Sequence, residues 1–377
     1  MDKGSVFVFA EPGYSVSSLY AKSLAGLERG AAKHGVSLSV FEGFEAPAGR
    51  GLPHAAVILS KRTDWTGFLV ARLRALGVRS VLVGTLSDTF GEDVSGPTLD
   101  RRALVRSMVE YFARAGRRRL ACYGAEPLDC NDTTRREAFL AAARAMGLRA
   151  REKDVFGMES GLDECAGRFL AHVREYDGVI CVNDVAAVHL MARAQRRGVR
   201  VPDDLFVAGS GDFMLGAMVA PTLTTTTLDY YQMGLLGVDI WRMLEGNPSL
   251  QRAVLTLPSE IISRGSTAFA PVRQDPPEQE EIAVHPDDVP DADGMFLWNL
   301  ENLLLRSDEE DLGIMREIAM GSSIPAIAAR LFVSPGTVNY RLRKIYQELG
   351  IPNKPELTEI LGRYISEPGP GDGINRS

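Results

Sequence analysis

The sequence predicts an α/β protein of two lobes, each built on a parallel sheet, followed by a small all-α domain that carries a helix-turn-helix. Three observations predict it. Short β-rich runs alternate with helical patterns from Ser5 to Ala208, which implies parallel strands covered on both faces. The alternation restarts at Leu120, so it divides into two lobes. Beyond an acidic, proline-rich stretch, apolar residues recur at helical spacing on either side of a Ser334-Pro335 break.

Taken in order, Ser5-Val6-Phe7-Val8-Phe9-Ala10 is a strand ended by Glu11-Pro12-Gly13, and residues 19–34 read as a helix closed by Gly35. The unit repeats: a strand at 56–59, a helix at 65–76, a strand at 81–83 after Gly77, and a helix at 101–115 stopped by Gly116. The second half gives a strand at 120–123, helices at 134–146 and 162–173, a strand at 178–182, a helix at 185–197 and a strand at 205–208. After Leu223-Thr224-Thr225-Thr226-Thr227 come a helix at 230–244 and a final strand around 254–263. The first lobe is therefore expected at 4–116 and 229–252, the second at 117–228 and 253–268. In open α/β sheets ligands bind beyond the carboxyl ends of the strands, so the expected sensor site is a cleft between the lobes. Tyr14, Ser17 and Tyr20, from the first loop and helix, supply an apolar face and hydrogen bonds there, with Ser60 directly after the second strand.

Composition places the chain among globular proteins of two or three domains: 377 residues, 45% hydrophobic and 24% charged. No run approaches the roughly 18 uncharged apolar residues of a membrane helix, and Met1-Asp2-Lys3-Gly4 does not read as a secretory signal. A cytoplasmic location without membrane attachment is the expectation. Cys122, Cys130, Cys165 and Cys181 lie far apart without C-x-x-C spacing and read as reduced side chains. Between Pro271 and Gly294 eight carboxylates face Arg273 alone, so this stretch by itself accounts for the net charge of −7. Five prolines interrupt it, which predicts an extended linker over 269–294, then a helix-turn-helix domain over 295–366 and a disordered tail over 367–377.

Enzymatic chemistry finds no foothold. There is no phosphate loop, nucleophile elbow or H-E-x-x-H pair, the five histidines are scattered, and Asp129, Asn131 and Asp132 read as a turn rather than an ion site. No catalytic residue, metal or cofactor is expected.

The stretch from Ser323 to Leu349 carries the function. Ser323 caps a short helix whose Ile324, Ile327, Ala328 and Leu331 recur at helical spacing, and the helix stops at Phe332-Val333. Ser334-Pro335 then restarts the chain as a second helix. Along it Val338, Leu342, Ile345 and Leu349 form a buried stripe. Tyr340, Arg343 and Lys344 point away, with Thr337, Asn339 and Arg341 on the flanks. Three cations and no carboxylate between Ser334 and Gln347 suit a helix lying in the major groove, where asparagine and arginine match base edges. Ser334, Thr337, Asn339, Tyr340, Arg341, Arg343 and Lys344 are the candidate contacts to double-stranded DNA.

Two resemblances follow. Residues 327–334, Thr337-Val338, Ile345 and 349–354 carry the pattern of the LuxR-type helix-turn-helix, while 338–345 also looks like the C-terminal helix-turn-helix of PucR-type regulators. Both imply DNA binding. The region 4–268 resembles the ligand-binding part of LacI/GalR repressors, which is similar to periplasmic sugar-binding proteins (type I). The residues that carry this are Ala113-Arg114-Ala115-Gly116-Arg117 after Asp100, Arg135 with Ala138-Phe139, Val182-Asn183-Asp184, 198–205, Ala208-Gly209-Ser210-Gly211-Asp212 and Pro221-Thr222-Leu223-Thr224-Thr225. The resemblance assigns Arg135, Asn183 and Asp212 to the hydroxyls of a ligand. Where many members have a tyrosine and paired aspartates, this chain reads Ser210-Gly211-Asp212, which widens the effector from a plain hexose to a sugar or related small polar molecule.

The expected function is thus a homodimeric, ligand-responsive DNA-binding regulator, with the DNA-reading element at the far end of the chain rather than before the sensor. The alternative is a solute-binding signalling module that never touches DNA. The helix at 295–305 is read as the first helix of the DNA-binding domain, with a brace at the junction or a pairing helix between subunits as the other possibilities.

Overall fold

The computed structural model describes residues 4–44, 53–85, 87–127, 129–268 and 294–365. The acidic linker over 269–293 and the tail beyond Ile365 lie outside them. In chain order the elements are β1 (Ser5–Ala10), α1 (Ser18–His34), β2 (Ser37–Glu42), β3 (Ala55–Leu59), α2 (Thr63–Ala75), β4 (Arg79–Val83), β5 (Gly96–Leu99) and α3 (Arg101–Arg114). There follow β6 (Leu120–Ala125), α4 (Cys130–Ala145), β7 (Val155–Gly157), α5 (Leu162–Leu170), β8 (Gly178–Cys181), α6 (Asp184–Arg196), β9 (Phe206–Ala208), α7 (Met214–Met218) and β10 (Thr225–Thr226). Next come α8 (Tyr230–Gly246), β11 (Val254–Leu257) and β12 (Ile261–Ile262), and finally α9 (Gly294–Arg306), α10 (Glu309–Ala319), α11 (Ile324–Arg330), α12 (Pro335–Leu349) and α13 (Lys354–Gly362).

Contacts divide the chain into two compact units. The first takes Met1–Leu104, Glu126–Arg135 and Leu228–Glu260 and holds the parallel sheet β2-β1-β3-β4. Successive side chains of a strand point to opposite faces, and β1 shows the consequence. Val6, Val8 and Ala10 enter one core with residues of α1 and α8, while Phe7 and Phe9 enter another with Leu69, Val70 and Leu73 of α2. A strand that is apolar on both sides is what a doubly covered parallel sheet requires. Gly35, at φ 65°, caps α1 in the left-handed region as the sequence predicts.

Helices α1 and α8 touch backbone to backbone. A Cβ added at Gly26 would lie 1.9 Å from the Tyr231 carbonyl oxygen, and one at Gly234 would lie 2.0 Å from that of Ser23. No side chain fits at either of these two positions.

The second unit takes Val105–Ala125, Arg136–Thr227 and Ile261–Ser377 and holds the parallel sheet β7-β6-β8-β9. The division falls inside α3: Leu104 packs into the first unit's core and Val105 into the second's. Residues of all five C-terminal helices, among them Leu300, Leu304, Ile314, Met315, Ile327, Val338, Leu342, Ile345, Leu357 and Leu361, are buried. Among the described residues no helix is long and apolar enough to cross a membrane.

Three local expectations are corrected. Asp129, Asn131 and Asp132 do not form a free turn: Asp129 accepts the Asn131 and Asp132 N–H groups at 2.7 and 3.3 Å and so opens α4 before Thr134. The helix expected at 162–173 ends at Leu170 and is followed by a separate turn at Val173–Glu175. The final strand is two short ones, β11 parallel to β5 and β12 antiparallel to β10. Pro258, which has no N–H to donate, stands between them.

Candidate functional site

Within the first unit, the loops after β1 and β3 and the start of α4 assemble a polar cluster, buried at Glu11, Ser60, Asp129, Asn131 and Asp132 and open to solvent at Lys61. Glu11 accepts the backbone N–H groups of Lys61 and Arg62 at 2.8 and 2.9 Å, which fixes the turn behind β3. Ser60 is buried against Thr66, with 2.6 Å between hydroxyls. Lys61 reaches Glu126 at 2.9 Å, and Arg135 reaches Asp132 at 2.7 Å. Tyr14 and Tyr20 meet edge to face at 5.7 Å between ring centres, and Ser17 caps α1 by accepting the Leu19 N–H.

Burial raises the Tyr14 phenol well above its ordinary value, and burial together with the neighbouring Asp132 charge raises the Asp129 carboxyl. Burial and the Arg135 charge lower the Arg101 guanidinium. Among the described residues of this unit two buried polar atoms have no hydrogen-bond partner, Nε of Arg101 and Oδ1 of Asn131. Unmet donors and acceptors of this kind cost about 1–3 kcal/mol each and are what a polar ligand satisfies. A cavity of about 780 Å³ in the same unit is lined by Arg101, Asp100, Thr134 and Arg252. None of Tyr14, Ser17, Tyr20, Ser60 or Arg135 lines it.

In the second unit Asn183 caps α6, its Oδ1 accepting the Ala186 N–H at 2.8 Å. Asp212 stands in the left-handed region at φ 49° and pairs with Arg264 at 2.6 Å. Beneath it the buried Asp184 accepts the Phe213 N–H at 2.7 Å and the Thr225 hydroxyl at 2.5 Å. Burial pushes the Asp184 carboxyl up to about 6, against the pull of those two hydrogen bonds. The native state therefore keeps a proton that the unfolded chain releases near pH 4, so this residue's contribution is most favourable at low pH and is lost as pH rises through about 6. The expected size is about 3 kcal/mol. Thermal unfolding of Asp184→Asn and the unsubstituted chain across pH 4 to 7 checks it. The difference between them should move in the variant's favour as pH rises, and a flat difference contradicts the assignment.

The helix-turn-helix is built as its sequence predicts. Ser323 caps α11 through the Ala326 N–H and Ser334 caps α12 through the Thr337 N–H. Val338, Leu342, Ile345 and Leu349 are buried, while Ser334, Asn339, Tyr340, Arg343 and Lys344 are exposed and Thr337 is half-buried. Arg341 is placed differently. Its guanidinium lies 2.8 Å from Asp308 and Asp311 and 2.7 Å from Glu310, so it ties α12 to the start of α10. Hydrogen bonds to Asp311 and Asp308 hold its pKa above the ordinary arginine value. Phe332, in the turn before α12, combines φ 57° with a ring 95% exposed.

Family comparisons agree with this geometry. Residues 109–267 match the periplasmic binding protein-like domain, and 309–361 match the luxR family of bacterial regulatory proteins. This chain joins a periplasmic-binding-protein-like domain to a luxR-type helix-turn-helix. It is 26% identical over 266 residues to the ribose operon repressor of Escherichia coli strain K12, covering 67% of this chain and 79% of that one. It spans about half the length of other curated relatives that it matches. Among solved structures, a LacI family transcriptional regulator from Mycobacterium smegmatis superposes with a TM-score of 0.59 at 22% identity, over 71% of this chain and all of that one (100%). A transcriptional regulator CelR–cellobiose complex superposes with 0.62 at 18% identity, over 71% and 86%. At these identities the likeness is one of fold.

The luxR match begins after α9, and the periplasmic-binding-protein-like match ends before it. That helix holds Glu301, which is fully buried and which the sequence reading passed over. Its signal was present: a lone carboxylate on the stripe Leu297, Leu300 and Leu304. Nothing local in the chain announces Lys61 or Arg101.

Proposed function

We propose that this chain is a DNA-binding transcriptional regulator that responds to a small polar effector. The observation that carries the reading is the pairing, in one chain, of a periplasmic-binding-protein-like domain with a luxR-type helix-turn-helix whose basic face is open to solvent. In this reading α12 enters the major groove. Arg343 and Lys344 contact phosphates, and Asn339 and Tyr340 face base edges. Arg341 orients the helix through its three carboxylate partners. The protein acts in the cytoplasm as a homodimer, presenting two reading helices to half-sites about one helical turn apart. No catalytic step is assigned to it.

The effector is read as a neutral polyhydroxyl compound. Arg135 and Arg101 offer donors, and Asp129 and Asn131 offer acceptors, so the cluster matches hydroxyls that both give and accept. In the second unit Asn183 and Asp212 are the further candidates. The ribose operon repressor and the cellobiose complex of CelR make sugars the first probes. Thermal unfolding of the full chain against a panel of pentoses, hexoses, disaccharides and nucleosides tests it. A member at about 100 times its dissociation constant should add about 2.7 kcal/mol, and Arg135→Ala should abolish the gain. A panel in which nothing raises the transition contradicts the polyhydroxyl reading.

A further inference from the structure

Glu301 of α9 is buried completely, with one carboxylate oxygen 3.1 Å from the Met214 nitrogen and the other 2.8 Å from the Leu215 nitrogen, and it accepts both N–H groups. The preceding N–H, that of Phe213, goes to Asp184 at 2.7 Å. Three consecutive amides at the start of α7 are therefore held by two buried carboxylates, one from α6 and one from α9. Immediately before them stands Asp212, whose own N–H faces the Thr225 hydroxyl at 3.3 Å, the same hydroxyl that donates to Asp184. The Phe213 ring meets Trp298 of α9 edge to face at 5.5 Å.

The other faces of α9 are engaged as well. A Cβ on Gly294 would come within 2.6 Å of Leu162, so the first turn lies hard against α5. At the far end Arg306 pairs at 3.0 Å with Glu348 of α12, the DNA-reading helix. Tyr364 and Ile365, which close the C-terminal domain, are buried where Val188, Met191 and Ala192 of α6 line the same small cavity. A buried carboxylate is a poor adhesive, since desolvating it costs several kcal/mol that an apolar residue in its place would avoid. Its use here is directional. Two hydrogen bonds fix the register of α9 on α7, which apolar contact alone leaves free to slide.

We propose that α9 is the transmission element of the protein: Glu301 locks the luxR-type domain to the segment Asp212–Leu215, so that rearrangement at Asp212 changes how the DNA-reading helix is held. This rests on Asp212 as an effector contact in the proposed function, but its test needs neither effector nor DNA, so the two can fail separately. Amide hydrogen exchange is followed by mass spectrometry on the full chain, on Asp212→Ala, on Glu301→Ala and on the double variant.

Asp212→Ala removes the Arg264 pair at a partly exposed position. It should speed exchange of the α9 amides by about tenfold while the internal amides of α10, α12 and α13 keep their protection. Glu301→Ala should speed α7 and α9 alike, and adding Asp212→Ala to it should change α9 no further. If Glu301→Ala does not fold, Glu301→Gln replaces it. That variant keeps one acceptor and turns an N–H towards the other amide, so α7 and α9 should exchange faster than in the unsubstituted chain. Exchange changes confined to 209–227 in Asp212→Ala, or additive effects in the double variant, overturn the proposal.

Discussion

Alanine at both Arg343 and Lys344 will lower the affinity of the full chain for mixed-sequence duplex DNA on the order of 100-fold and reduce the salt dependence of binding. Both side chains are exposed on α12 and make no ion pair among the described residues, so their charge is available to phosphates. Each phosphate contact contributes about 0.9 to the slope of log K against log salt, so losing two should flatten it by about 2. Anisotropy of a labelled duplex at several salt concentrations measures both quantities. Stability should hardly change, because neither side chain packs against the core. Arg341→Ala supplies the contrast: it strands Asp308, Glu310 and Asp311 beside one another, and its effect on binding should accompany a lower unfolding temperature of the C-terminal helices. If Arg343 and Lys344 matter no more than a random exposed pair, α12 is not the reading helix.

Valine at Gly234 will unfold or severely destabilise the first unit. Its Cβ would sit 2.0 Å from the Ser23 carbonyl oxygen and 2.9 Å from the Leu27 nitrogen, both backbone atoms of α1. No rotamer relieves a clash with backbone, so α1 and α8 must separate, and both line the same core. Overpacking of this kind costs about 3 kcal/mol or more. Gly246→Ala, at the open end of the same helix with nothing within 4 Å of an added Cβ, is the matched control and should be neutral or slightly stabilising. Urea denaturation of the two variants checks the pair. A Gly234→Val protein as stable as Gly246→Ala would mean that the two helices do not meet this closely.

Most of the fold was legible because its elements announce themselves locally. The runs at β1, β3 and β8 are apolar on both faces, and α11 and α12 begin with serine caps that the structure confirms atom by atom. What escaped was short or polar. β2 alternates serine with Leu38 and Val40 at a sheet edge, and β5 spans Gly96 and Pro97, so neither shows the apolar run that a strand reading needs. The local surroundings of the candidate site residues were legible only in part. Asn183 and Ser17 accept N–H groups three and two residues further on as helix caps, whereas Arg341 spends its charge on carboxylates 30 or more residues away, partners that leave no trace in local spacing. Glu301 shows the same limit: it contacts Met214 and Leu215 from 87 and 86 residues away in the chain.

Effector occupancy and DNA binding are expected to be coupled in this one chain. The most direct test fixes a duplex selected by the protein from a random pool and measures its dissociation constant with and without a saturating compound taken from the thermal-unfolding panel. Coupling predicts a change of about 5- to 150-fold in one direction, and the same factor in effector affinity when duplex is added. Equal dissociation constants at full effector occupancy would contradict it.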